Sequence, residues 1–209
     1  VYDRYTLQAE ISLNREEADA EKVPSIVGLN PQTNRVIVGE TAKNNLPFDP
    51  LNTIIEIKRE MGEVFTEETL DKYRARGIYR AREVVKNEVV FEGDPVQGRL
   101  GGEWFMPQEI SAFILMKMKH IAEREIGEEI RDAIITVPAY FTERQKKATR
   151  EAALLAGLYP RELIAEPTAA AICYGLERFE QGRRNYMVYD LGGGTFDVSI
   201  ITVEESEIS

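Results

Sequence analysis

The sequence predicts an α/β fold, a mixed sheet with flanking helices. Three observations carry this. Between Asp132 and Gly175, strand-like and helix-like runs alternate, the order that builds a helix-covered sheet. The stretch Asp190-Leu191-Gly192-Gly193-Gly194-Thr195-Phe196-Asp197 has apolar residues leading in (Tyr186 to Tyr189) and alternating β-branched residues leading out (Val198 to Val203), the pattern of strand, glycine turn, strand. The 209 residues are 43% hydrophobic, ample for a packed core in one large domain or two small ones.

Taken in order, residues 4–12 and 24–29 read as short strands. The turn formers Asn30-Pro31-Gln32-Thr33-Asn34 then lead into a return strand, Arg35–Val38. Asp49-Pro50 opens a predicted helix: a capping residue, Pro at the first position, and Ile54, Ile57 and Met61 at helical spacing. Gly62 suits its C-terminal cap, and Lys58 and Arg59 sit in its last turn, where cations match the helix dipole. Glu67 to Lys86 is charged and poorly periodic. Glu88–Phe91 and Trp104–Met106 read as strands of a surface hairpin around Gly93, Gly98, Gly101 and Gly102. Pro107 starts the clearest helix, with Ile110, Ile114, Met118, Ile121 and Ala122 on one face and Gly127 beyond it. Its methionines read as core filler.

Asp132–Val137 is a strand ended by Pro138. Thr142 and Gln145 form a capping box for the helix Glu143–Ala156, and Gly157 follows. Glu162–Ala165 is a short strand, and Glu166-Pro167 leads into a thin, alanine-rich helix, Thr168–Tyr174, capped by Gly175.

Composition removes several classes of function. With 26 basic and 36 acidic residues the net charge is −10, the wrong balance for a nucleic-acid partner. No apolar run approaches the ~18 residues of a membrane span. Cys173 has no partner for an internal disulfide, which fits a reducing cytosol, and it reads as a small buried hydrophobe. His120 has no Cys or His companion, which argues against a metal role.

The glycine turn carries the chemistry. Gly192, Gly193 and Gly194 let the backbone adopt positive φ and approach a ligand closely, and successive N–H groups there can line an anion-binding concavity. Asp190 and Asp197 are hard oxygen ligands suited to Mg²⁺ or its waters, although both can also serve simply as turn formers. The strand after the glycines argues against the two common phosphate loops, which both feed a helix.

Four segments together resemble the ATPase domain of the seventy-kilodalton heat-shock chaperones: Ile57-Lys58-Arg59-Glu60-Met61-Gly62, Ile135 to Phe141, Ala165 to Ala171, and Asp190 to Asp197. The resemblance implies the actin-like (ribonuclease H-like) two-lobed ATPase fold. Residues 1–185 would form the first lobe, with a peripheral hairpin-and-helix subdomain at about 40–126, and 186–209 the first strand pair of the second. It also implies truncation at both ends. Val1-Tyr2-Asp3 resembles the strand after the family's first phosphate loop, and the adenine site and peptide-binding domain would lie beyond Ser209.

The resemblance assigns roles residue by residue. Asp190 and Asp197 would hold hydrated Mg²⁺. The N–H groups of Gly192, Gly193 and Gly194 would bind phosphate oxygens of ATP or ADP. Thr195 would offer a hydroxyl to the γ-phosphate or the attacking water, Glu166 would order water near the metal, and Lys58 would orient the attacking water. Taken alone, Lys58 reads as a dipole partner, Glu166 as an N-cap and Pro138 as a strand end. In the family the proline matching Pro138 relays the nucleotide state to the partner domain, with an arginine on the next helix. Here that position is Lys146, which keeps the charge and loses the planar fork. Implied partners are unfolded polypeptides, J-domain co-chaperones and nucleotide-exchange co-chaperones, in the cytoplasm. The alternatives are an isolated, non-catalytic lobe or interaction module, and an actin-like filament protein.

Removing one preorganised donor at a charged transition state costs roughly 10²–10³ in rate. The 209 residues alone are therefore expected to hydrolyse ATP negligibly, lacking the opposing phosphate loop. Single-turnover hydrolysis with Mg-ATP checks this, and turnover equal to that of an intact family member overturns it.

Overall fold

Asn30 organises the first turn. Its Oδ1 accepts the N–H groups of Gln32 and Thr33 at 2.9 and 3.0 Å, a local bond that lets the chain reverse. In the computed structural model, which describes residues 2–3, 8–9, 11–15, 20–64, 98–175, 184–191, 196–204 and 207–208, this turn joins β3 (Ile26–Leu29) to β4 (Val36–Val38) in an antiparallel pair, as expected. Ahead of them, β1 (Tyr2–Asp3) pairs with β2 (Gln8–Ala9). A short helix α1 (Glu40–Asn45) follows β4, and its Asn45 side chain donates to the Leu29 carbonyl at 3.2 Å.

The helix expected from Asp49-Pro50 does not form as one element. Pro50–Asn52 is a 3₁₀ turn, Thr53–Ile55 is a strand (β5) on the free edge of β3, and Ile57–Glu60 is a second 3₁₀ turn. The β-branched run Thr53-Ile54-Ile55 favours extended backbone, and β3 offers it an edge. The Asp49 side chain accepts from Asn52 Nδ2 and caps no backbone N–H. The apolar spacing nonetheless picks out the inward residues, because Ile54, Ile57 and Met61 are all buried. Glu56, between β5 and the second turn, has φ 53°, a left-handed conformation that re-aims the chain.

β6 (Gly98–Leu100) and β7 (Glu103–Phe105) form a hairpin about Gly101 and Gly102. The partner expected for β7, Glu88–Phe91, lies outside the described residues, as does Glu67 to Lys86. Pro107–Ile126 forms α2, entered by a bond from the Met106 N–H to Glu109 Oε2 at 2.6 Å and closed at Gly127, φ 72°. Ile110 and Ile121 are buried, but Met118 is exposed rather than core filler. This 20-residue helix packs against β3, β4, the 3₁₀ turn Ile57–Glu60 and the next helix. Val27, Leu29, Ile54, Ile57, Leu100 and Ile110 close one core cluster.

β8 (Asp132–Val137) and β9 (Tyr159–Ala165) are neighbours in a sheet, linked through α3 (Glu143–Leu155). α4 (Glu166–Gly175) leads to the antiparallel β10 (Arg184–Leu191), β11 (Phe196–Glu204) and β12 (Glu207–Ile208). The described strands thus make five small sheets instead of one mixed sheet, and every pairing apart from β8 with β9 is antiparallel. Short strands that turn straight back on themselves pair locally. Cys173 is exposed, not buried. The described residues of α4 before it are only half-buried, so the helix keeps an outer face.

The chain divides into two compact units. One comprises Val1–Asp132 and Glu143–Tyr159, the other Ala133–Thr142 and Pro160–Ser209. In the first unit Gly62 has φ 68°, and a Cβ there would come within 3.0 Å of the Arg144 and Gln145 backbone at the start of α3. Gly62→Ala is expected to destabilise the unit by about 2–4 kcal/mol, from left-handed strain plus the clash. Gly127→Ala, with positive φ and open space around it, is expected to cost only about 1–2 kcal/mol. Urea denaturation of the two variants measures the difference.

Candidate functional site

The candidate site lies within the second unit and begins with strand register. β10 and β11 pair so that Asp190 faces Asp197 and Val188 faces Ser199. Side chains alternate across a strand, so these four share one face. On this face Val188, Asp197 and Ser199 are half-buried and Ile201 is buried. The opposite face presents Met187, Tyr189, Val198 and Ile200, all exposed.

Two other segments reach the same place. Glu166 opens α4, where a carboxylate matches the positive end of the helix. Pro138 ends β8 and starts a tight turn in which the Phe141 N–H donates to the Pro138 carbonyl at 3.1 Å. Phe141 is buried and meets Tyr140 edge to face at 6.1 Å, which anchors the turn while Tyr140 stays exposed. Together Pro138, Ala139, Tyr140, Glu166, Pro167, Val188, Asp190, Asp197, Val198 and Ser199 line a pocket of ≈ 210 Å³.

The structure therefore brings together Glu166, Asp190, Asp197 and Pro138. The donors are hard carboxylate oxygens with no soft ligand among them. Among the described residues no group of three or more His, Cys, Asp or Glu could hold a metal ion by themselves. Such a donor set fits Mg²⁺, which keeps several waters and takes one or two carboxylates. Gly192, Gly193, Gly194 and Thr195 lie outside the described residues.

Lys58 and Lys146 belong to the first unit. Lys58 is exposed on the 3₁₀ turn Ile57–Glu60, beside an Arg59–Glu56 ion pair of 3.3 Å. Lys146 Nζ donates to Glu143 Oε1 at 2.8 Å on α3, and that bond, then the ammonium charge, lowers the Glu143 carboxyl below the ordinary carboxylate range. His120 is exposed and lines a separate cavity of ≈ 220 Å³ with Leu13, Asn14, Arg15 and others, where the Arg15 fork grips the Glu125 carboxylate at 2.8 and 3.0 Å.

Sequence reasoning missed Val188, Tyr140, Pro167 and Ser199 as pocket residues. For Ser199 a signal was present: it stands two residues after Asp197 on a strand and must share its face. Among the described residues no helix is long and apolar enough to cross a membrane.

The family model described as "Hsp70 protein" matches residues 7–208. The chain is 43% identical over 173 residues to a "Heat shock 70 kDa protein" of Neurospora crassa, covering 81% of this chain and 26% of that protein. It is 39% identical over 199 residues to a ribosome-associated molecular chaperone of Saccharomyces cerevisiae, covering 95% of this chain and 32% of that one. The chain thus spans about a quarter to a third of the length of these relatives.

Glu143 offers a direct check of the α3 pair. Lys146→Ala is expected to raise the Glu143 carboxyl toward its ordinary value, read by carboxyl-detected NMR titration. Because the folded value is depressed, the pair's contribution is present above the ordinary carboxylate range and lost as pH falls through the folded value. An unmoved titration would mean that Lys146 does not set it.

Proposed function

The chain belongs to the Hsp70 family, and from that premise we propose that it is part of the nucleotide-binding domain of an ATP-dependent chaperone. The observation that carries this reading is the convergence of Glu166, Asp190 and Asp197 on one pocket, with Pro138 in its wall. In the same proposal residues 1–185 form the first lobe of an actin-like ATPase fold and 186–209 open the second. The chaperone names of the relatives favour this over a filament protein.

Asp190 and Asp197 hold the metal through its waters, and Glu166 at the head of α4 orders a further water beside them. The bound Mg²⁺ supplies charge neutralisation for ATP and a fixed array of waters. Gly192, Gly193 and Gly194 donate backbone N–H groups to phosphate oxygens, and Thr195 offers its hydroxyl to the γ-phosphate or the attacking water. Lys58 orients that water and offsets charge developing as the phosphoryl group leaves. Pro138 and Lys146 relay the nucleotide state. In the whole protein this cycle gates affinity for unfolded polypeptide, with J-domain and nucleotide-exchange co-chaperones setting its pace in the cytoplasm.

In the full-length polypeptide, Lys58→Ala is expected to lower hydrolysis by about 10²-fold or more while nucleotide affinity stays near the parent's. Single-turnover hydrolysis and calorimetric titration separate the two effects. Loss of binding contradicts a water-orienting role, and unchanged hydrolysis removes Lys58 from the mechanism.

A further inference from the structure

The hydroxyl of Ser199 stands apart from the groups already given roles. Ser199 lines the pocket with Glu166, Asp190 and Asp197, and apart from the phenol of Tyr140 it offers the only hydroxyl in the described wall. Its face is fixed by register: it is two residues after Asp197 on β11, opposite Val188, and diagonal to Asp190. It is half-buried. Among the described residues its Oγ makes no hydrogen bond with another side chain, whereas Thr202 on the other face of the same strand donates to Asn185 at 2.9 Å.

Spacing decides what such a hydroxyl can reach. Residues i and i+2 of a strand are about 6.5–7 Å apart, given ~3.3 Å of rise per residue. A direct bond from Ser199 to Asp197 is therefore disfavoured, while a single water fills that gap well. Val188, opposite Ser199 on β10, carries no polar side-chain atom to compete. A hydroxyl both donates and accepts, so it can accept a hydrogen bond from one water and donate its own O–H to another water or a carboxylate oxygen.

We propose that Ser199 is a positioning residue of the cation site, holding a water of the metal's hydration shell and bridging it toward Asp197. This rests on the reading of Asp190 and Asp197 as the metal anchors. It extends the site along β11, so that cation affinity depends on a neutral group as well as on carboxylates. Outer-shell partners of this kind commonly tune metal affinity, by about 10- to 100-fold at their strongest. A single neutral hydrogen bond to water is expected to give about three- to tenfold.

The test is Mn²⁺ binding to the 209-residue chain, followed by electron paramagnetic resonance of the free ion. Ser199→Ala and Ser199→Val are expected to weaken binding by about three- to tenfold, and Ser199→Thr to restore it. Val and Thr have nearly the same shape, so a difference between them reports the hydroxyl and not packing. Thr202→Ala, on the opposite face, serves as the control and should leave affinity unchanged. Equal affinity in the parent, Ser199→Val and Ser199→Thr overturns the proposal for Ser199. If Asp190→Asn and Asp197→Asn still abolish binding in that case, the carboxylate reading stands without it. Binding that none of these substitutions alters, or no binding by the parent chain, overturns both. Equal losses in Val and Thr variants would mark Ser199 as a packing residue and also overturn the proposal.

Discussion

The register of β10 against β11 is the constraint on which the candidate site depends. Because side chains alternate, a slip of one residue would replace Val188, Asp190, Asp197 and Ser199 by Met187, Tyr189, Val198 and Ile200. The site would then be lined by apolar side chains. What resists the slip is Ile201, buried on the same face as the acids, together with α4, which packs against both strands. Moving Ile201 out to solvent would forfeit about 1.5–3 kcal/mol of burial. A core residue and the candidate carboxylates are thus placed by one geometric rule, and preserving the core preserves their arrangement.

Holding Asp190 opposite Asp197 has its own cost, since like charges directly across a ladder repel. Solvent moderates this at Asp190, which is exposed, while Asp197 is half-buried. A divalent cation with its waters converts the repulsion into attraction. The walls strengthen that effect: Pro138, Pro167 and Val188 present mostly apolar surface and few competing dipoles. The pocket is therefore better suited to a hydrated hard cation than to an apolar ligand, which would leave three carboxylates to be desolvated.

Much of this was legible in the sequence because the informative signals are local. The Asn30 turn, the break at Pro138 and the start of α2 at Pro107 follow from bonds and φ angles within a few residues, and the pairing of β10 with β11 follows the alternating apolar pattern on either side of the glycines. The segment 50–61 was misread for the opposite reason. Ile54, Ile57 and Met61 have helical spacing, yet a strand edge on β3 and two 3₁₀ turns bury the same three residues. Periodicity reports which side chains face inward, and a non-local edge decides the backbone that delivers them. Met118 and Cys173 erred likewise: their types favour burial, but both are exposed, and residue type alone does not say which side of a helix is covered.

The same distinction explains why Lys58 sits where it does. Glu56 in a left-handed conformation turns the chain off the edge of β3, and Ile57 and Met61 then pin the 3₁₀ turn into the core from both ends. Gly62 completes the clamp by letting this segment press against the α3 backbone, where any Cβ would intrude. Lys58 is thereby an exposed ammonium on a short, tightly anchored turn, with little backbone freedom left to lose. A lysine on a loose loop would carry the same charge but would have to order both stem and backbone on binding. The buried neighbours of Lys58 thus confer what its own side chain cannot, a fixed origin for a flexible charge, and that preorganisation depends on packing whose signature in the sequence is Ile57, Met61 and Gly62 rather than the lysine itself.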